Sequence, residues 1–161
     1  MGRIYYVTYN GTITDAGGDT DLLEITPADD KPVRLRGMIF SQSSEVGDAA
    51  EEGLRITVKR LPATFTSGSG GSSVTPIPCD SADVAAGAAC ECNNTTVATT
   101  SSTAVTLFDA AWNVRNSPFD YWFPSAEFSP KVKGAEGMVV RLETTAADDL
   151  TGSFTFCIEE E

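Results

Sequence analysis

The sequence predicts an all-β fold, an antiparallel β-sandwich with the arrangement of a jelly roll of about eight strands. Three observations lead there. Short runs place apolar residues at every second position, turn-forming residues separate those runs, and no long segment carries a wide apolar stripe at helical period. The chain has 161 residues. That length suits one domain, 1–161, around a single core.

The runs follow in order. Residues 4–9 read as a first strand, with Val7 directed inward. Asn10-Gly11 then reads as a tight hairpin turn, because both residues accept positive φ. After Gly17-Gly18, residues 21–25 form a strand that buries Leu23 and Ile25. The loop 27–32 is bounded by prolines. Val33 and Leu35 then alternate with Arg34 and Arg36, and 36–41 continues the pattern with Ile39 inward. The clearest alternation is Leu54, Ile56 and Val58 against Arg55, Thr57 and Lys59. Successive strand side chains point to opposite faces, so the first set enters the core and the second meets water.

Residues 105–108 form a further strand with Leu107 inward, and Trp112 and Val114 alternate with Asn113 and Arg115. Val140 and Leu142 alternate with Arg141 and Glu143. Phe154, Phe156 and Ile158 alternate with Ser153, Thr155 and Cys157, which sets Cys157 on the outer face. Gly47-Asp48, Ser117-Pro118, Pro124 and Lys133-Gly134 supply the remaining turn signals. Residues 46–52 and 80–89, rich in alanine and acidic groups, are the only helix candidates, and neither has an apolar face wide enough to pack. The Gly/Ser stretch 66–73 reads as an ordered loop rather than an interdomain linker. The segment behind it is too short to start a second domain, and Gly68, Gly70 and Gly71 let backbone approach a neighbour.

Charge and composition narrow the function. Eleven cationic against twenty-three acidic residues leave 11 − 23 = −12. Such a charge disfavours nucleic acid and anionic membrane, which both require cationic neutralisation of phosphate. It favours solubility at high local concentration. There is no histidine, so no Ser-His or Cys-His catalytic arrangement can be built within the chain. No apolar run is long enough to cross a bilayer. Met1-Gly2-Arg3-Ile4-Tyr5-Tyr6 leads straight into strand-like sequence and lacks signal-peptide character, so synthesis and folding in a cytoplasm are expected. Cys79, Cys90, Cys92 and Cys157 are then expected as free thiols. The Cys90-Glu91-Cys92 spacing is not that of a zinc or redox pair. No cofactor or metal is expected.

Several motifs read as structure. Asp15, Asp19 and Asp21 around Gly17-Gly18 resemble oxygen ligands for Ca²⁺ but lack EF-hand spacing, and read as an acidic turn. Asn10, Asn93 and Asn94 fit the N-glycosylation pattern and read as hydrogen-bonding turn residues. The adjacent carboxylates Asp29-Asp30, Glu51-Glu52 and Asp148-Asp149 read as solvated loops rather than the two carboxylates of a glycosidase cleft.

Trp112, Phe119, Tyr121, Trp122, Phe123 and Phe128 form the densest aromatic segment. A strand cannot place all of Phe119-Asp120-Tyr121-Trp122-Phe123 on one face, so at least one ring must point outward or into a partner. Tyr121 and Trp122 are the interface candidates. Aromatics of this kind suit a subunit interface or a glycan platform.

Ser41-Gln42-Ser43-Ser44-Glu45-Val46-Gly47-Asp48-Ala49-Ala50, the alternating strand after it, the Gly/Ser loop with Val74-Thr75-Pro76-Ile77-Pro78, and Asn93-Asn94-Thr95-Thr96 come in a distinctive order. In that order, over roughly residues 23–150, the chain resembles a group of small bacteriophage virion-associated structural proteins, of the capsid decoration or cement kind. Cys79, Cys90 and Cys92 depart from the group's pattern. The resemblance implies a structural role on the capsid exterior, the major capsid protein as partner, and a homo-oligomer with a trimer favoured. It implies no catalytic residue. A tail or head-fibre component that binds host-surface glycan is the alternative reading.

Overall fold

The computed structural model describes residues 2–14, 17–44, 52–116 and 118–161. Fourteen strands are present among them. They are β1 (Arg3–Ile13), β2 (Thr20–Thr26), β3 (Val33–Gln42), β4 (Gly53–Leu61), β5 (Phe65–Thr66), β6 (Ser72–Val74) and β7 (Ile77–Pro78). The chain continues with β8 (Ala89–Cys92), β9 (Thr99–Thr100), β10 (Val105–Asn113), β11 (Phe119–Trp122), β12 (Lys131–Val132), β13 (Gly137–Leu142) and β14 (Leu150–Glu160). All their pairings are antiparallel.

The first sheet runs β11-β3-β14-β1-β7, with β12 also on β3, and the second runs β10-β4-β13-β2-β8-β6. Their inner faces share one core, to which Tyr5, Val7, Leu35, Phe40, Phe154, Phe156 and Ile158 contribute from the first sheet and Leu23, Ile25, Leu54, Ile56, Val58, Trp112, Val140 and Leu142 from the second. Aromatic rings bridge the layers: Phe40 meets Trp112 edge-on at 6.2 Å and Phe108 meets Phe119 at 6.5 Å. This is the all-β sandwich that the alternation predicts, and β1 pairs with β14 along its whole length.

Two expected core residues lie elsewhere, each beside a β-bulge. On β3 the pairing with β14 slips between Leu35 and Gly37. The extra residue, Arg36, reverses the alternation beyond it, so Met38 and Phe40 are buried and Ile39 is only half-buried. On β10 the slip falls between Thr106 and Phe108, and Leu107 becomes the extra residue, 39% exposed. A one-residue slip exchanges the two faces of a strand.

Asn10-Gly11 is not a turn but lies inside β1. A side chain at Gly11 would collide with the Tyr9 ring, so the glycine makes room for an aromatic neighbour. Residues 80–88 form turns, bends and irregular chain rather than a helix, and Ala89 begins β8. There the Asp80 side chain accepts the Ala82 amide at 2.9 Å, a local bond that competes with helix formation. The helix candidate 46–52 up to its last residue, the Gly47-Asp48 turn, Glu51, Asp15 and Ser117 lie outside the described residues.

The segment between β4 and β10 determines how the two outer faces differ. It folds back over the second sheet, where Leu61, Ala98 and Val139 form a small separate core flanked by Phe65 and Ala104. Every residue of β13 is buried, as are six of the seven in β2. Arg141, expected in water, is 8% exposed. Among the described residues, no second apolar core lies over the first sheet. Among the described residues, no helix is long and apolar enough to cross a membrane.

Candidate interaction surface

The covered face is held by buried polar groups. Asp21 is fully buried, and Arg141 donates to it through Nε at 2.6 Å and through Nη2 at 3.1 Å. Arg141 Nη2 also donates to the Ala98 carbonyl at 2.8 Å, and the Ala98 amide donates to Asp21 at 2.7 Å. Burial pushes the Asp21 carboxyl upward, against the pull of Arg141. Three residues further along β2, buried Glu24 accepts Ser67 Oγ, the Gly68 amide at 2.8 Å and Asn94 Nδ2 at 3.0 Å. Asn94 Nδ2 also donates to Glu91, and its Oδ1 accepts the Gly71 amide at 3.1 Å.

The Gly/Ser loop is therefore ordered. A side chain at Gly68 or Gly71 would sit within 2.4 Å of the backbone carbonyls of Thr96 or Cys92. Asn94 and Asp21, singled out as glycosylation and calcium candidates, are internal hydrogen-bonding groups. Asn10 and Asn93 likewise donate to neighbouring hydroxyl and carbonyl oxygens. Among the described residues, no group of His, Cys, Asp or Glu side chains is arranged to hold a metal.

The first sheet's outer face is different. Strand register sets Trp122 beside Gly37, Gly37 beside Cys157, Cys157 beside Tyr6, and Tyr6 beside Ile77. One uncharged row thus crosses five strands. Its two ends are open, with Trp122 46% and Ile77 59% exposed. The indole lies on Gly37, where an added Cβ would meet its ring atoms within 2.8 Å. Paired charges flank the row: Arg36 with Glu159 at 3.6 Å, and Arg34 and Lys131 both with Glu161.

The two interface candidates separate. Trp122 points outward. Tyr121 turns inward, packing against the core with its ring 4.5 Å from Phe108 and 5.1 Å from Phe123. The exposed ring that the alternation did not single out is Phe128, 71% exposed in the turn before β12. Its membership of the aromatic segment was the only sequence signal for it.

All four cysteines are free thiols. Cys79 is exposed, while Cys90, Cys92 and Cys157 are buried. Cys157 occupies the outer-face register that the alternation predicts, yet is only 4% exposed in the row. Burial pushes the Cys92 thiol up to about 12 and the Cys157 thiol up to about 11, and raises Cys90 as well. A thiolate nucleophile is thereby disfavoured at all three.

No family model, no curated protein and no solved structure matches the chain.

Proposed function

We propose that this chain is a non-catalytic assembly module, a bacteriophage virion protein that decorates the capsid. In this reading it binds the finished shell from outside, bridging neighbouring copies of the major capsid protein. One observation carries the reading. The insertion roofs one outer face of the sandwich, while the other presents an uncharged row across five strands with Trp122 and Ile77 open at its ends. A stiff plate with apolar side chains open at both ends of one face is suited to being covered by another macromolecule. A protein that binds only the assembled shell stabilises it by mass action.

Other features support the reading. The motif order resembles the virion-associated group. A net charge of −12 suits display in many copies and argues against nucleic acid. The absence of histidine and the raised thiols favour a binder over an enzyme. The eight main strands, β1-β14-β3-β11 facing β2-β13-β4-β10, support the finer reading of the sandwich as a jelly roll. Clustering of copies on the shell, as in the trimer that the resemblance implies, would multiply weak contacts by avidity.

Quantitative mass spectrometry of purified virions tests the proposal, with the major capsid protein as internal standard. Many copies per shell are expected, and shells stripped of the chain should rupture at lower temperature and recover when it is added back. Absence from virions would sink the proposal.

A handful of copies would favour the second reading, a tail or head-fibre component that grips host-surface glycan. One observation favours it specifically. The Trp122 indole lies against Gly37 and is 46% exposed, which suits stacking on a sugar ring. Saturable binding on a glycan array, lost in Trp122→Ala, would select it.

A further inference from the structure

Cations are scarce in this chain, 11 against 23 acidic residues, yet Arg34, Arg60 and Lys131 all line one depression of about 310 Å³. Its apolar side comes from Leu107, left 39% exposed beside the β10 bulge, and from Phe128, 71% exposed. Two of the three cations are already engaged. Arg34 and Lys131 both pair with Glu161, and Arg34 also donates to the Ala126 carbonyl at 2.8 Å. Glu127, a carboxylate of the same lining, accepts Ser125 Oγ at 2.5 Å, which holds it below the usual carboxylate range.

Arg60 is different. Among the described residues, no carboxylate or other acceptor engages its guanidinium. Its position makes that unusual. Arg60 follows Leu54, Ile56 and Val58 at a spacing of two and pairs with Met138 in unbroken register. It therefore shares the inner face of β4 with residues of the main core. The alternation ends on a half-buried cation. A guanidinium partly withdrawn from water and given no acceptor lowers stability. The chain has carboxylates in excess, and none is set against this one.

We infer that Arg60 anchors a ligand site, and that the depression takes a small monocarboxylate carrying a ring, such as a sugar acid or an aryl acid. The guanidinium is planar, and its fork of donors matches a carboxylate in two parallel hydrogen bonds. The Phe128 ring offers apolar surface to the body of the ligand. A hollow of this volume is at the lower end of small-molecule sites, which suits a single ring. A net charge of −12 repels polyanions at range, so a lone carboxylate is favoured over a phosphate polymer. The inference does not rest on the capsid reading, because neither Trp122 nor Ile77 lines the depression.

Titration of the full chain followed by proton–nitrogen NMR tests it, with phenylacetate, glucuronate and N-acetylneuraminate as probes. One ion pair and one ring imply a Kd of about 1 mM, so each probe is taken to about 20 mM. Saturable shifts at the Arg60 side-chain Nε and at the Phe128 and Lys131 amides are expected with at least one probe. Binding of the sugar acids alone assigns the ligand to carbohydrate, and binding of phenylacetate alone to aryl acids. The neutral amides of the same probes should bind at least about tenfold more weakly. Arg60→Met should lose at least about tenfold in affinity, yet unfold no earlier than the parent, because its guanidinium holds no other part of the chain. Phe128→Ser, at an exposed position, should weaken binding several-fold while the fold is kept. No saturation with any probe, equal binding of the neutral amides, the same shifts with inorganic phosphate alone, or unchanged binding in either folded variant would overturn the inference. So would an Arg60→Met chain that melts well below the parent, since the guanidinium would then be a structural group.

Discussion

The two sheets of this sandwich share one core but present opposite kinds of outer face. On the second sheet, polar side chains that would ordinarily face water are enclosed by the insertion and satisfied beneath it: Asp21 by Arg141 of β13 and by the Ala98 amide of the insertion, and Glu24 by Ser67, Gly68 and Asn94. On the first sheet, the outer row is uncharged and its ends are left open. One face is finished within the chain, and the other is the face on which the proposed function places a partner. Substitutions on the covered face should therefore act on stability, and substitutions on the open face on association.

The largest expected effect comes from Arg141→Met, which strands a fully buried carboxylate. It should cost about 3–5 kcal/mol in urea unfolding. The paired change Asp21→Leu with Arg141→Met should cost less than the single one, since no unpaired charge remains. If the double variant is the weaker of the two, the ion pair is not what fastens the insertion. Next comes Asn94→Ala, which removes donors and acceptors for Glu24, Glu91 and Gly71. About 1–3 kcal/mol is expected, with faster amide exchange at Gly68 and Gly71 as the local sign.

On the open face, Trp122→Ser should leave the unfolding midpoint within about 1 kcal/mol of the parent while abolishing attachment to shells. Equal loss of both would erase the distinction between the faces. Smaller still is Trp112→Phe. Trp112 Nε1 is the one buried side-chain polar atom without a partner among the described residues. Removing that donor offsets part of the packing lost, for a net change within about 1 kcal/mol. The variant also leaves Trp122 as the only indole, so its emission reports directly on the open face.

The smallest expected effect is chemical rather than energetic. At pH 8 one thiol per native chain, Cys79, should react promptly with a disulfide reagent, and all four after denaturation. Because burial lifts Cys157 to about 11 and Cys92 to about 12, labelling of those two should rise only as pH approaches these values. Unfolded thiols ionise near 8.5. A raised thiol keeps its proton in the native state where the unfolded chain releases it. Its stabilising contribution is therefore full below the unfolded value and is lost as pH climbs through the folded one.

Seven of the eight main strands were legible because each buries one face in the shared core, and a period of two records that; β11 was not, because its aromatic residues run almost without a break. Ile39 and Leu107 misled because a bulge inserts one residue without any mark in composition. Asn10-Gly11 misled because glycine serves equally to turn a chain and to admit a neighbouring ring. The polar fastening of the covered face was not legible, since its partners lie far apart in sequence: Asp21 and Arg141 are separated by 120 positions. One trace existed. Leu22-Leu23 and Met138-Val139-Val140 are unbroken apolar runs within otherwise alternating strands, which is how strands enclosed on both sides read. At the candidate surface, the crowding of aromatics required an outward ring and Trp122 supplies it. That Tyr121 turns inward follows from its register opposite Met38, a buried position that sequence alone did not fix.

The strand order bears on how the molecule comes into being. β14 wedges between β1 and β3, and β13 between β2 and β4, so the last two strands of this sandwich to be synthesised are central to their sheets. Until they emerge, β1, β3, β2 and β4 each have one backbone edge exposed whose native partner is missing. Folding is therefore delayed until translation nears the end of this domain, and is slow in the manner of topologies built from distant pairings. A chain stalled before β13 would carry four unpaired edges prone to joining other nascent chains.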